Sequence, residues 1–349
     1  MTDDLLGKIF YHLCEPGPLS LRHLLFVSRH FHSATVNNAQ LWATVSFDPL
    51  FVRHFHQWPE QGNIFIEQCL LRSRSLPLCL YIDDDDFIAY DSTPLRHPLE
   101  TFWKPEWRGL QRCTSMVWIN RDHTPTTIPK IVAMLPKSLP SLHYISLSYF
   151  GDPIDGSQFP KCPVLERVEI SCHCQPSPPF WGTSFLHVTT LSFGNRTNWL
   201  GYDMITLSQF PELHDLTLST ERDIVSLFGD DLHPPITFKH LQILRVNGYI
   251  PSGVVTKLVA PALKELHIQA NAEHFTSIYV LQNSFEPHCQ HIHALLPQAV
   301  SAKEPEWATN LSKLVKKCTR INSLYTSGWM EEECQKLIGG RSDVVLHVQ

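Results

Sequence analysis

A six-residue pattern, apolar-x-x-apolar-x-apolar, recurs through the middle and C-terminal parts of this chain. Successive copies start about 22–28 residues apart, the spacing of leucine-rich repeats. The six clearest copies are Leu142–Leu147, Leu165–Ile170, Val188–Phe193, Leu213–Leu218, Leu241–Val246 and Leu263–Ile268. Because one repeat cannot bury its own apolar face, such a series predicts a solenoid in which each repeat adds one strand to a parallel sheet.

Less regular copies and helix candidates complete the predicted repeats. The irregular copies lie at Leu78–Ile82, Met116–Ile119 and Ile321–Leu324. Helices are predicted between strands at Ile128–Leu135, Tyr202–Phe210 and Ser252–Val259, and from Pro305 to about Lys317. The expected fold class is therefore α/β, with an irregular leucine-rich-repeat solenoid and a parallel sheet. A non-repetitive α/β domain whose strands look alike is the alternative.

The polar positions of the pattern predict a binding face. Side chains alternate along a strand, so the fourth and sixth positions point into the core and the third and fifth line the concave sheet. These polar-face positions are Tyr144, Ser146, Arg167, Glu169, Thr190, Ser192, Asp215, Thr217, Ile243, Arg245, Glu265 and His267. Their mixed charge suits a protein or peptide target better than nucleic acid, which favours a basic stripe. A solvated sheet without a ligand is the alternative interpretation.

The first ~47 residues show helical spacing instead of the repeat pattern. Apolar residues predict a first helix over Asp3–Leu13 and a second over Ser20–Thr35, and a short third helix holds Leu41 and Trp42. So small a helical unit buries little surface by itself. Its apolar excess therefore indicates an interface with a partner or with the solenoid.

This segment resembles an F-box. The matching residues are Asp4–Leu13, then Leu24, Val27-Ser28-Arg29, Phe31 and Ala34, and finally Leu41-Trp42 with Val45. The repeats also resemble those of large fungal F-box families. The resemblance implies an F-box at 1–47, a helical connector at 48–75 and a leucine-rich-repeat-like solenoid with a C-terminal cap at 76–349. The family's Leu-Pro loop before the first helix is not found in Met1–Asp4.

F-box helices bind a Skp-type adaptor and, through it, a cullin–RING assembly. By this resemblance the adaptor-binding residues are Leu5, Leu6, Ile9, Phe10, Leu13, Leu24, Val27, Phe31, Leu41 and Trp42. The resemblance thus implies a substrate-recognition subunit of an SCF-type ubiquitin ligase that performs no bond chemistry. A repeat-based interaction scaffold with a degenerate F-box is the alternative. A hydrolase that uses the His and Asp clusters is a third hypothesis, although no complete catalytic constellation accompanies them.

Composition narrows the choice of partners and compartment. Of the 349 residues, 43% are hydrophobic and 18% charged, as expected of a folded chain. The net charge of −6 argues against nucleic-acid binding, and no apolar run is long enough to span a membrane. The acidic N-terminus does not resemble a secretory signal, so we expect a cytoplasmic or nuclear protein. Its 10 cysteines are then expected to be buried thiols.

Three clusters resemble metal ligands without matching an established spacing. They are Cys172-His173-Cys174, the stretch His288–His293 with its three histidines, and Asp83–Asp86. Structural zinc usually takes four ligands in two separated pairs, and a calcium loop alternates its acidic residues. A turn at the end of a strand is the simpler interpretation of Cys172–Cys174, and a loop explains His288–His293 equally well. A solvated acidic turn is the default interpretation of Asp83–Asp86. The sequence therefore predicts no metal, no cofactor and no catalytic residue.

Overall fold

Parallel strands are the main element of the structure, a computed structural model. It describes residues 6, 8–10, 25–47, 51, 59–83, 102, 104, 108–119, 135–149, 159–172, 185–195, 210–220, 236–248, 258–269, 290–295, 311–313, 315–316, 318, 320–327, 330–339 and 341–348. The chain divides into two compact units, residues 1–166 with 181–185 and residues 167–180 with 186–349. The predicted boundaries at 47/48 and 75/76 stay predictions.

In the described part of the first unit, three helices have complete bounds, and four parallel strands follow the order β1-β2-β3-β4. Its helices are α1 (Arg29–Asn37), α2 (Pro59–Arg72) and α3 (Gly109–Arg112), and a 3-10 turn covers Ala39–Trp42. Its strands are β1 (Thr44–Phe47), β2 (Leu78–Asp83), β3 (Cys113–Ile119) and β4 (Tyr144–Tyr149). Val45 and Phe47 of β1 are fully buried, so the sheet begins inside the segment that resembles an F-box.

The described residues of the second unit include eight strands of a parallel sheet, in the order β5-β6-β7-β9-β11-β12-β13-β14. They are β5 (Arg167–Cys172), β6 (Thr190–Asn195), β7 (Asp215–Thr220), β9 (Ile243–Gly248), β11 (Glu265–Gln269), β12 (His291–Leu295), β13 (Ser323–Thr326) and β14 (Val345–Val348). Two short strands, β8 (Ile236–Thr237) and β10 (Leu258–Val259), pair separately. Helix α4 (Glu331–Ile338) lies between β13 and β14 in the chain.

The repeat pattern corresponds copy by copy to strands of the two units. Each of the six clear copies forms one strand, β4, β5, β6, β7, β9 or β11, and the strand starts at the third position of the pattern. The first, fourth and sixth positions of all six copies are buried, with relative exposures of 0–3%. The prediction of a parallel solenoid with α/β character is thereby confirmed.

The irregular copies also form strands, whereas the predicted helices are only partly described. Leu78–Ile82, Met116–Ile119 and Ile321–Leu324 contribute to β2, β3 and β13. Residues 311–313 and 315–316 are helical, in line with the helix predicted after Pro305. The prediction of a helix over Ser252–Val259 was wrong at its end, because Leu258 and Val259 form β10. The other predicted inter-strand helices lie almost entirely outside the described residues.

The predicted second helix of the N-terminal segment is interrupted. Phe26 and Val27 form a turn, and the Ser28 side chain then accepts a hydrogen bond from the Phe31 amide at 3.1 Å. Ser28 therefore caps a new helix, α1, because its hydroxyl satisfies an amide that has no partner within the first turn. The prediction of one continuous helix over Ser20–Thr35 was wrong here.

Buried cysteines belong to the core, as the composition predicted. Among the described residues, Cys69, Cys113, Cys162, Cys318 and Cys334 are buried. Burial raises the pKa of the Cys162 thiol to about 12. It also raises the pKa of Cys69 and Cys113, so these side chains stay protonated and pack as small apolar groups.

The alternation of buried and solvent-facing positions can be tested on one strand. Leu216 of β7 is fully buried, and its neighbour Thr217 lies on the polar face. We expect Leu216→Ala to lower the free energy of unfolding by about 2–5 kcal/mol, since it leaves a cavity. Thr217→Ala should change it by about 0.5 kcal/mol or less. Urea unfolding followed by circular dichroism measures both, and equal losses would contradict the observed alternation.

Candidate functional site

The first candidate surface is the N-terminal segment of the first unit. Of the ten predicted adaptor-binding residues, Leu5, Leu13 and Leu24 lie outside the described residues. Leu6, Phe10, Leu41 and Trp42 are buried, with exposures of 1%, 2%, 6% and 2%, and Phe31 is half-buried. Ile9 and Val27 are exposed, at 38% and 61%. The predicted residues therefore separate into a buried set and an accessible set.

Trp42 belongs to the core of the first unit. Its indole Nε1 donates a hydrogen bond to the Thr35 carbonyl at 2.9 Å. The guanidinium of Arg72, at the end of α2, lies 4.5 Å from the indole ring centroid. These contacts join the 3-10 turn to α1 and to α2, so Trp42 would support adaptor binding only indirectly.

The accessible apolar residues cluster in sequence around the turn that precedes α1. Phe26 is 85% exposed and adjoins Val27 in that turn. The rings of Phe10 and Phe31 pack with their centroids 5.1 Å apart, and this contact anchors α1 against residues 8–10. We call Phe26 and Val27 the apolar turn. Phe26 was not among the predicted residues, because it occupies an unspecified position of the F-box pattern and lies off the helical stripe of Leu24, Val27 and Phe31.

The second candidate surface is the polar face of the strands. None of the twelve predicted face residues is buried, and each alternates with a buried neighbour. Tyr144 and Ser146 lie on β4 in the first unit, and the other ten lie in the second unit. In the second unit, unshifted pairing from β5 to β14 places equivalent positions side by side in columns.

Ion pairs occupy part of this face. The Arg245 guanidinium on β9 pairs with the Asp215 carboxylate on the neighbouring strand β7. On β5, Arg167 Nε donates to Glu169 Oε1 at 3.1 Å. Pairs this exposed contribute little to stability, so their main effect is to fix the charge pattern of the face.

Four aromatic side chains on β11, β12, β13 and β14 form a stack in one column. They are His267, His293, Tyr325 and His347, and we call them the histidine–tyrosine ladder. Successive ring centroids are 3.9, 4.0 and 4.3 Å apart, and the planes of successive rings differ by 8°, 4° and 12°. The four residues are far apart in the sequence, and the parallel pairing of their strands brings them together. Only His267 was predicted as a site residue.

The ladder changes the acid–base behaviour of its second ring. Burial and the neighbouring His267 lower the pKa of His293 to about 4. His291 on the same strand and Arg245 on β9 act in the same direction, whereas the Glu265 carboxylate on β11 opposes them. His293 is therefore neutral at neutral pH, which lets its ring stack between His267 and Tyr325 without burying a charge.

The sequence clusters that resembled metal ligands have different outcomes. Cys172 ends β5, and His173 and Cys174 lie outside the described residues. Asp83 ends β2 and is buried, and Asp84–Asp86 lie outside. The last three residues of the stretch His288–His293 form the start of β12, where His291 and His293 lie on the polar face. The prediction of a loop was therefore wrong for these three residues.

Comparison with known proteins adds little to this picture. No protein-family description and no curated protein matches the chain. A crystal structure of a protein from Bacteroides fragilis aligns with 14% identity and a TM-score of 0.28, over 54% of this chain and 66% of that one. At this level the similarity carries no argument about function.

None of the helices in the described part of the chain is both long and apolar enough to cross a bilayer.

The shifted pKa of His293 predicts a pH dependence of stability. The folded state holds this pKa near 4, below the ordinary value of about 6.5, so the unfolded chain takes up the proton first. The stabilisation is complete above about pH 6.5 and is lost as the pH falls towards 4. Because His293 is half-buried, we expect a loss on the order of 1 kcal/mol after screening by solvent.

The measurement is the urea midpoint from pH 7.5 to 4 in a buffer that contains a metal chelator. His293→Gln should flatten the curve relative to the parent, and His187→Gln, which replaces a histidine at an exposed turn, serves as the matched control for the substitution itself. Parallel curves for the parent and His293→Gln would contradict the inference that the lowered pKa of His293 makes stability depend on pH.

Proposed function

We propose that this chain is the substrate-recognition subunit of a cullin–RING ubiquitin ligase of the SCF type. The N-terminal segment binds a Skp-type adaptor, and the polar face of the repeats binds a protein target. In this role the chain catalyses no bond change itself. It raises the effective concentration of target lysines near the ubiquitin-conjugating enzyme.

The observation that carries the proposal is the apolar turn. Phe26 and Val27 expose 85% and 61% of their surface within the segment that resembles an F-box. Exposed neighbouring apolar side chains cost solvation free energy unless a partner covers them. The capping hydroxyl of Ser28 and the packing of Phe10 on Phe31 fix the turn, so a partner would meet a preorganised surface.

The polar face supports the second half of the proposal. It presents both charge signs, through Arg245 with Asp215 and Arg167 with Glu169, and Arg245 is the register partner of His267, the first ring of the ladder. Aromatic residues and Arg are enriched in protein–protein interfaces. A face for nucleic acid would instead carry unbalanced positive charge.

A repeat-based interaction scaffold without a ligase role is the second candidate. The burial of Leu6, Phe10, Leu41 and Trp42 favours it, because these predicted anchors are not accessible to an adaptor. In the scaffold the N-terminal segment would serve as a cap of the solenoid, to which β1 contributes a strand.

Adaptor binding separates the two candidates. We expect the parent chain to co-purify with a co-expressed Skp-type adaptor, and Phe26→Ala with Val27→Ala to abolish the capture because both substitutions remove accessible apolar surface. The matched control is Ile64→Ala with Leu71→Ala, which removes two side chains of 57% and 59% exposure from α2 in the same unit. Circular dichroism must match the parent in each case.

Failure of the parent to capture the adaptor would favour the scaffold. Equal capture by the parent and the Phe26/Val27 variant would contradict the role of the apolar turn. Trp42 is unsuitable for this test, since its truncation removes a buried side chain and its hydrogen bond to Thr35.

Target binding is tested by exchanging one ion pair. Arg245→Asp alone places two carboxylates together, whereas Asp215→Arg with Arg245→Asp restores opposite charges in the reverse order. We expect the exchange to recover the urea midpoint lost in the single variant but to lose targets that the parent traps under proteasome inhibition, measured by quantitative mass spectrometry. Adaptor capture is the internal control, and an unchanged set of trapped targets would place recognition elsewhere.

A further inference from the structure

Three potential metal ligands converge beside the start of the ladder. Glu265 and His267 lie on β11 two residues apart, and His293 on β12 is the register partner of His267. One ligand atom from each residue lies within 4.8 Å of those of the other two. His267 Nε2 and Glu265 Oε2 are 3.2 Å apart, and all three side chains are partly exposed on the polar face.

We propose that Glu265, His267 and His293 form a binding site for one divalent transition-metal ion, with zinc as the ion that suits them best. This site goes beyond the proposed ligase role and does not depend on it. Two imidazole nitrogens and one carboxylate oxygen are ligands that zinc accepts in proteins. His293 belongs to the histidine-rich stretch His288–His293. The other two proposed ligands, however, lie on β11 in the preceding repeat.

The distances are close to those that zinc requires. Ligand bonds of about 2.1 Å in a tetrahedral site place ligand atoms about 3.4 Å apart. The pair formed by Glu265 and His267 already has this separation, at 3.2 Å. The rings of His267 and His293 are nearly parallel, with their centroids 3.9 Å apart, so binding requires the ring of His293 to rotate towards the ion.

The backbone needs no rearrangement, because parallel pairing already holds β11 and β12 in register. Three protein ligands leave a fourth position of a tetrahedral zinc for water or for a group from a bound molecule. The ion would also join two successive repeats on the polar face, where it would neutralise the Glu265 carboxylate. Since binding to the folded state alone stabilises it, zinc should raise the unfolding temperature.

The test is metal titration of the full chain after treatment with a chelator. We expect calorimetry with zinc chloride to show one saturable site that depends on these residues, and cobalt(II) to give the visible absorption of a tetrahedral complex that zinc then displaces. Two variants keep the shape of the site: Glu265→Gln removes the charge, and His293→Phe keeps a flat ring in the stack but has no ligand atom. Each should weaken binding at this site by at least about 10- to 100-fold, the loss caused by removing even a supporting partner of a metal site.

The matched control is His214→Phe, which alters a second pair of histidine rings, those of His214 and His240, 5.9 Å apart in the same unit. It should bind zinc like the parent. The proposal is overturned if the parent shows no saturable zinc binding and no tetrahedral cobalt spectrum, or if both site variants bind as tightly as the parent. Because the cobalt spectrum is measured on the parent, the result stands even if a variant fails to fold.

Discussion

In-register pairing of successive parallel strands is the constraint on which the rest of this structure depends. Each strand from β5 to β14 pairs with the next one in the sheet without a shift in register. Residues at the same position of successive repeats therefore form a column across the second unit. Columns of Leu, Val, Ile and Phe form the core, and the intervening columns form the polar face. A shift by one residue would exchange the two sets, so burial of the apolar columns enforces the register.

The same principle explains which parts of the fold were predictable. Six copies of the pattern carry large apolar residues at all three positions, so periodicity alone located their strands and their buried faces. In β12 the sixth position of the pattern is the small residue Ala294, and the histidines on both sides of Ile292 led to the prediction of a loop. β1 was missed because its partner, β2, lies more than thirty residues further along the chain, as in the pair Thr44 and Cys79. Short windows contain no information on such long-range pairing.

The functional surfaces show the same limit. Alternation placed His267 and Glu265 on the polar face, but their proximity to His293 follows only from the pairing of β11 with β12. At the N-terminus, the resemblance to an F-box grouped Trp42 with Val27, although one is 2% and the other 61% exposed. Val27 lies in the turn before the Ser28 cap, and the buried Trp42 donates a hydrogen bond to Thr35. Each of these features depends on one polar atom instead of on periodicity.

The position of β14 has a consequence for how such a chain can grow. Among the described strands β14 pairs with β13 alone, and its residue His347 carries the final ring of the ladder. A repeat whose strand paired with β14 in the same register would place one of its residues next to His347. An aromatic side chain at that position would extend both the sheet and the ladder, because each repeat of a solenoid contacts only its neighbours.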